Sequence, residues 1–396
     1  MHRINKYILW YGGGLLLLAI AIIPLIHPSR YERPFFHSST AIACIRLCLL
    51  ALPALAAFGM FRSYAGSRRE KFVLALLAIT AACFCEQILH QFVDKGHYFG
   101  GADNNTTWQR GLQKSVIALD PAVIPHSYRF LSHSIVAIFE RLGNSFELAR
   151  GVYRVLFNTL LFAAAIRYAR LYLGRLAAIG VLLVLVMIFP ITVAWFAGQF
   201  VDPISHLSFV ACLYFYARNY EPGIGPTIVL GVFAKESVAA LAVCRAFYGP
   251  QSQRCRAGLR AICYLLAALI SLAAIRYFVN HGSFAYRSVS GVGLNQTMAN
   301  LRGYREWSLQ YIFSIGILLP GACLGWKLMD RSFRLTCLVL TLSLIVSSAL
   351  FSWLNEVRNL VPALVMLAIV NFKYIESRFG FSMDGDPIPT DRRTLK

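Results

Sequence analysis

The chain is short of acidic residues. Its 396 residues hold 18 aspartates and glutamates against 38 lysines and arginines, and charged residues make up only 14%. A soluble domain carries about 25%, so a water-solvated fold is excluded as the main body of the protein. Lipid explains the shortage, because a charge at the bilayer centre is strongly disfavoured. A disulfide framework is also missing. The ten cysteines are Cys44, Cys48, Cys83, Cys85, Cys212, Cys244, Cys255, Cys263, Cys323 and Cys337. Nearly all fall inside apolar runs and none in the long polar loops, which reads as apolar packing. Cys83 and Cys85 form a C-x-C pair with no second pair at zinc spacing. There is no internal repeat, heptad pattern or low-complexity linker.

What is present is apolar. Hydrophobic residues reach 58%, with a mean hydropathy of +0.59. Runs long enough to cross a bilayer fall at 7–26, 41–61, 72–91, 150–169, 176–197, 203–218, 258–279, 308–326, 333–353 and 359–375. The first follows Met1 to Lys6 without a small-x-small cleavage site, so it reads as a retained span. The net charge of +20 does not imply a nucleic-acid partner, since no basic helix or aromatic platform accompanies it. Much of it lies in short loops: Arg62, Arg68, Arg69 and Lys71; Arg170 and Arg175; Arg254, Arg256 and Arg260; Lys327, Arg331 and Arg334. All fall on one side if both termini are cytoplasmic, as the positive-inside rule prefers.

That parity requires residues 222–250 to enter and leave on the same side. Lys235 and Glu236 stand at their centre, so a broken pair of short helices is expected, its tip against protein or a wet cavity. A rival threading makes 127–142 a span and 222–250 one ordinary helix. Its apolar core, Phe130 to Phe139, is short for a hydrocarbon core about 30 Å thick. The fold class is therefore all-α and polytopic, with about 12 transmembrane segments in a single domain over 1–378. Outer loops are expected at 92–149 and 280–307, the first with interfacial helices near 107–118 and 128–142. Residues 379–396 read as a disordered cytoplasmic tail.

The unusual charges gather toward the outer side. Glu86, His90 and Asp94 are spaced four apart, on one helix face if the helix persists that far. Structural, acid–base and metal-edge roles all remain open for them. Asp202 precedes Pro203, which fits a helix cap as well as substrate contact. Lys235 and Glu236 form either an internal ion pair or an anion site facing an outer cavity. Glu356 and Arg358 stand in the turn before the last span, and Arg129 and Arg276 add donors on the same side. Arginine suits phosphate through its planar fork, so the set fits a phosphate-bearing substrate.

Four short patches carry a family likeness: Tyr128-Arg129-Phe130-Leu131, Phe200-Val201-Asp202-Pro203, Ala234-Lys235-Glu236-Ser237 and Asn355-Glu356-Val357-Arg358, the last ahead of Pro362. In order and topological placement they resemble the GT-C superfamily, the integral membrane glycosyltransferases that use polyprenyl-phosphate-linked sugars. The resemblance implies sugar transfer to a cell-envelope glycan or lipid acceptor at the periplasmic face of the bacterial inner membrane. It also implies Asp94 as general base, Lys235 with Arg129 or Arg358 as phosphate clamp, and Asp202, Glu236 and Glu356 as further substrate contacts. No cofactor is implied. The large loop follows the third span here, whereas the superfamily's usually follows the first, and Asp103 or Asp202 can replace Asp94. A transporter or lipid-linked-glycan flippase is the alternative.

Overall fold

Four polar side chains stand just ahead of helices and take an N–H from the first turn. Ser67 Oγ accepts from Glu70, Asn104 Oδ1 from Thr107, Ser145 Oγ from Leu148 and Asp330 Oδ1 from Phe333, at 2.7 to 3.3 Å. Each satisfies a donor that has no partner within its own helix. A computed structural model describes residues 39–64, 66–96, 104–193, 201–248, 254–283, 293–352, 354 and 356–379. Among these, all the regular elements are helical.

In chain order they are α1 (Ser39–Phe61), α2 (Arg68–Ile88) with a π-helical turn Leu89–Asp94, α3 (Asn105–Ile117), α4 (Phe130–Arg141), α5 (Phe146–Ala169), α6 (Arg175–Val193), α7 (Val201–Ala217) and α8 (Glu221–Ala234). Then come α9 (Ala240–Cys244) between two 3₁₀ turns, α10 (Arg254–Val279), α11 (Leu294–Arg302), and α12 (Tyr304–Tyr311), which runs through a π turn into α13 (Ile317–Gly325). The last two are α14 (Arg331–Phe351) and α15 (Val361–Phe379), the latter preceded by a 3₁₀ turn, Val357–Leu360.

Seven helical runs are long and apolar enough to cross a membrane: α1, α2, α5, α10, the α12–α13 run, α14 and α15. With the shorter apolar helices α6 and α8, this is a polytopic helical membrane protein. The apolar run expected at 7–26 and the tail at 380–396 lie outside the described residues. Burial ranks the helices. In α5, 78% of the apolar window is covered by protein, against 22% in α1 and α10. Helix α5 is thus the central post, with α1, α2 and α7 packed around it, and α1 and α10 present most of their surface outward.

Contacts between turns sort the bundle into two ends. At the first, Arg170 donates to Tyr64, Arg175 pairs with Glu70 at 2.8 Å, and Glu376 accepts from Gly174 N–H. Phe333 packs on both Tyr168 and Tyr172, and Tyr168 meets Tyr248. The arginine-bearing turns at 62–64, 170–175, 218–220 and 326–331, with the end of α15, therefore share one basic end. Their common placement, expected from charge bias, is a feature of the fold.

The segment expected to break does break. Helix α8 stops at Ala234, Lys235 is extended (φ −161°, ψ 130°), and the chain turns back through Glu236–Ala239 into α9. Gly231 makes the return possible: a Cβ there would lie 2.6 Å from Val238 and 2.9 Å from Ser208. Both arms finish at the basic end, because Glu221 at the start of α8 takes hydrogen bonds from Arg245 beyond α9, and from Arg260 (2.6 Å) and Tyr264 (2.7 Å) on α10. The hairpin thus re-enters rather than crosses. The rival span at 127–142 is a helix of 12 residues, Phe130–Arg141, too short for the roughly 20 residues a crossing needs. In a variant stripped of its native cysteines, Arg218→Cys and Arg256→Cys should react with an impermeant maleimide from the same side of sealed vesicles, and Lys95→Cys from the other. Labelling of the first two from opposite sides would make α8–α9 a single span.

Candidate functional site

Asp202, Lys235 and Arg358 come from three separated stretches and form the floor of a charged cluster at the end of the bundle opposite the basic turns. Lys235 Nζ lies 3.1 Å from Asp202 Oδ1, and Arg358 Nε lies 3.3 Å from Asp202 Oδ2. Lys235 also donates to Asn359 Oδ1. The side chains of all three are at most 8% exposed. The break in the α8–α9 hairpin supplies Lys235, the first turn of α7 supplies Asp202, and the 3₁₀ turn before α15 supplies Arg358. At about 1.5 Å per residue, the 14 residues of α8 lift Lys235 roughly 21 Å from the basic end.

Arg129, Glu236 and Glu356 form a rim with 11 to 16% of their side chains exposed. Arg129 Nε donates to Glu236 Oε2 at 2.9 Å. Glu356 Oε2 stands 3.2 Å from Arg358 Nη2 and accepts from Ser352 Oγ (2.9 Å) and Asn359 Nδ2 (3.3 Å). Burial opposes ionisation of Glu356, but Arg358, Lys235 and Arg129 together hold its carboxyl below the usual carboxylate range. His126, from the loop before α4, is pushed down to about 3 by burial and then by Arg129, so it is neutral at pH 7. His133 on α4 is held near 3 in the same way, chiefly by burial. The cluster holds three basic side chains, Arg129, Lys235 and Arg358, and three carboxyl side chains, Asp202, Glu236 and Glu356, so each buried group has a partner of opposite type.

Lys235 and Glu236 do not pair with each other; each turns to a partner from another segment. Asp202 also departs from the helix-cap expectation. Its carboxylate faces Lys235 and Arg358 across the cluster, and the resulting ion pairs take the place of bonds to its own helix.

Asp94 stands apart. The π turn after α2 carries it against α5, where Arg150 Nη1 and Nη2 lie 3.0 and 2.6 Å from its two oxygens, and Arg154 Nη1 and Nη2 lie 3.2 and 2.6 Å from them. Arg154 also binds Glu86 at 2.6 Å, and Arg150 binds Gln109 of α3 at 3.1 Å. Asp94, Arg150 and Arg154 are each 1% exposed. The spacing of Glu86, His90 and Asp94 does place them side by side, with His90 Nδ1 3.7 Å from Asp94. Among the described residues, no three His, Cys, Asp or Glu side chains are grouped to hold a metal ion, and Glu86 and Asp94 are instead bridged by Arg154. Helix α5 separates the two clusters: its Arg150 and Arg154 face α2, while Tyr153 and Phe157 pack in an apolar group with Ile204 of α7.

Of the seven residues to which the family resemblance assigns roles, six come together, and Asp94 does not join them. Asp103, the substitute for it, lies outside the described residues. Arg276 of α10 stacks over the ring of Tyr128, 5.8 Å from its centre, beside Arg129. Sequence reasoning passed over Asn359, Ser352 and His126 in the main cluster, and Arg150 and Arg154 in the other. The two arginines had a readable signal: they lie four apart in the first turns of an apolar span, where an unpaired charge is costly. Beyond the floor, a narrow apolar gap of about 10 Å³ lies between α5, α6 and α15, lined by Phe162, Phe189, Val361, Leu364 and Val365 among others. It begins at Val361, three residues past Arg358.

The chain matches no family model, no curated protein and no solved structure.

Proposed function

We propose that this protein is a membrane glycosyltransferase of the GT-C type, moving a sugar from a polyprenyl-phosphate-linked donor to a glycan or lipid acceptor. The observation that carries the reading is the convergence of Arg129, Lys235 and Arg358 with three carboxylates at the tip of a re-entrant hairpin. By the positive-inside rule the basic turns face the cytoplasm, which puts the cluster toward the periplasmic face of a bacterial inner membrane. The seven long helices then combine with α6, α7, the two arms of the hairpin and the run at 7–26 into about twelve membrane segments.

Sugar transfer from a lipid phosphate has two electrostatic requirements: stabilisation of the leaving phosphate and removal of the acceptor's proton. Lys235 and Arg358 are preorganised cations whose present counter-ion is Asp202, and Arg129 at the rim is bound to Glu236. A donor phosphate entering from the rim competes for these same cations. The base falls among the cluster's carboxylates rather than to Asp94, whose oxygens are both occupied by guanidinium groups.

The test is transfer of label from undecaprenyl-phosphate-linked hexose or pentose to a bacterial glycolipid extract by the purified protein in detergent. Label moved by native and not by heat-denatured protein supports the reading. A broken helix at membrane depth is equally a transporter feature. Passage of the same lipid across sealed proteoliposomes, without transfer, would replace the enzyme with a flippase.

A further inference from the structure

Resting on the transferase reading, we infer that Glu236 is the general base that deprotonates the acceptor hydroxyl. The three carboxylates of the cluster differ in how fully their oxygens are engaged. Asp202 is enclosed on the floor, with Oδ1 hydrogen-bonded to Lys235 and Oδ2 accepting no hydrogen bond but facing the Arg358 cation at 3.3 Å. Glu356 has one oxygen shared by Ser352, Asn359 and Arg358. Glu236 has a single ion-pair partner, Arg129, on Oε2, and its buried Oε1 has neither a hydrogen bond nor an ion-pair partner among the described residues. A buried acceptor without a donor calls for an explanation, and Oε1 is the buried carboxylate oxygen of this cluster that also lacks a facing cation. A hydroxyl presented by a substrate supplies the missing donor.

Position agrees with this role. Glu236 follows Lys235 directly, but the extended backbone at Lys235 turns the two side chains to different partners. Lys235 reaches down to Asp202 and Asn359, and Glu236 reaches out to Arg129 on the rim. One residue step thus carries the phosphate-binding cation and the next carries the base, which sets a leaving group and an attacking hydroxyl beside each other. Arg129 fixes the carboxylate through Oε2 and leaves Oε1 to take the proton.

The step balances without any further reagent. Glu236 Oε1 takes the acceptor's O–H proton, the acceptor oxygen forms a bond to the anomeric carbon, and the bond from that carbon to the phosphate oxygen breaks. Its electron pair stays on the phosphate, whose charge Lys235 and Arg358 stabilise. Proton loss from Glu236 to solvent or to the released phosphate restores the site.

The experiment uses the full chain in detergent with undecaprenyl-phosphate-linked hexose or pentose, whichever the native protein uses, and the glycolipid extract. Glu236→Gln should lower kcat about 100- to 1,000-fold, leave the KM for the donor within about threefold, and remove the acidic limb of the pH profile of kcat/KM. Glu236→Ala should regain activity on addition of formate, and Glu236→Asp should retain more activity than Glu236→Gln. Elution volume and melting temperature report whether each variant is folded. A folded Glu236→Gln that keeps a third or more of native kcat with its acidic limb intact overturns the assignment. If the native protein transfers no sugar from any donor lipid, the transferase reading fails, and this assignment with it.

Discussion

Asp202→Asn should destabilise the protein by about 3 to 5 kcal/mol, the usual consequence of stranding buried charge. Asp202 stands between Lys235 at 3.1 Å and Arg358 at 3.3 Å, and none of the three side chains is more than 8% exposed. Neutralising it leaves two cations facing each other at membrane depth, with Glu356 as the nearest remaining counter-ion of Arg358. Lys235→Met should be milder in stability, because Asp202 keeps Arg358. In sugar transfer it should be severe, with a loss of about 100- to 1,000-fold if Lys235 stabilises the leaving phosphate. The double variant Asp202→Asn/Lys235→Met removes one charge of each sign and should recover much of the lost stability without recovering activity. Thermal melting in detergent and the transfer assay separate these outcomes. Equal melting temperatures for Asp202→Asn and the native protein would mean that the floor is wetter than its burial indicates.

Asp94→Ala should be as damaging, about 3 to 5 kcal/mol, for a different reason. Asp94 accepts four close contacts from Arg150 and Arg154, and this carboxylate ties the π turn after α2 to the central helix α5. Without it, the two guanidinium groups keep Glu86 as their hydrogen-bonded carboxylate, the more distant charge of Glu147, and neutral acceptors such as Gln109 and Thr106. Arg154→Ala should destabilise too, since it leaves both Glu86 and Asp94 short of a partner. Asp94→Asn is the informative variant, because it keeps the shape and loses the charge. Where the protein stays folded, a positioning role predicts transfer within about tenfold of native. A role as general base predicts a loss of about 100- to 10,000-fold. The second result would return Asp94 to the chemistry and displace Glu236.

These two aspartates also mark the boundary of what can be read from residues alone. The bilayer imposes its demands residue by residue, through length, hydropathy and the side on which arginine is left behind. Those demands are local, so the apolar helices, the shared basic end and the break at Lys235–Glu236 are legible in the residues alone. The helices at Asn105–Ile117 and Phe130–Arg141 fell within two residues of their expected starts, because their polar and apolar positions alternate with helical period.

Partner choice is not local. Asp94 finds Arg150 and Arg154 at separations of 56 and 60 residues, Lys235 finds Asp202 at 33 and Asn359 at 124, and Arg129 finds Glu236 at 107. Each pairing depends on which helix faces which, and the energy of an ion pair at depth depends on whether its neighbours exclude water. The sequence therefore determined that this is a polytopic helical membrane protein with a charged, re-entrant hairpin. Only the packing of α5 between the two clusters decided that Asp94 pairs with Arg150 and Arg154 and that Lys235 joins Asp202 and Asn359.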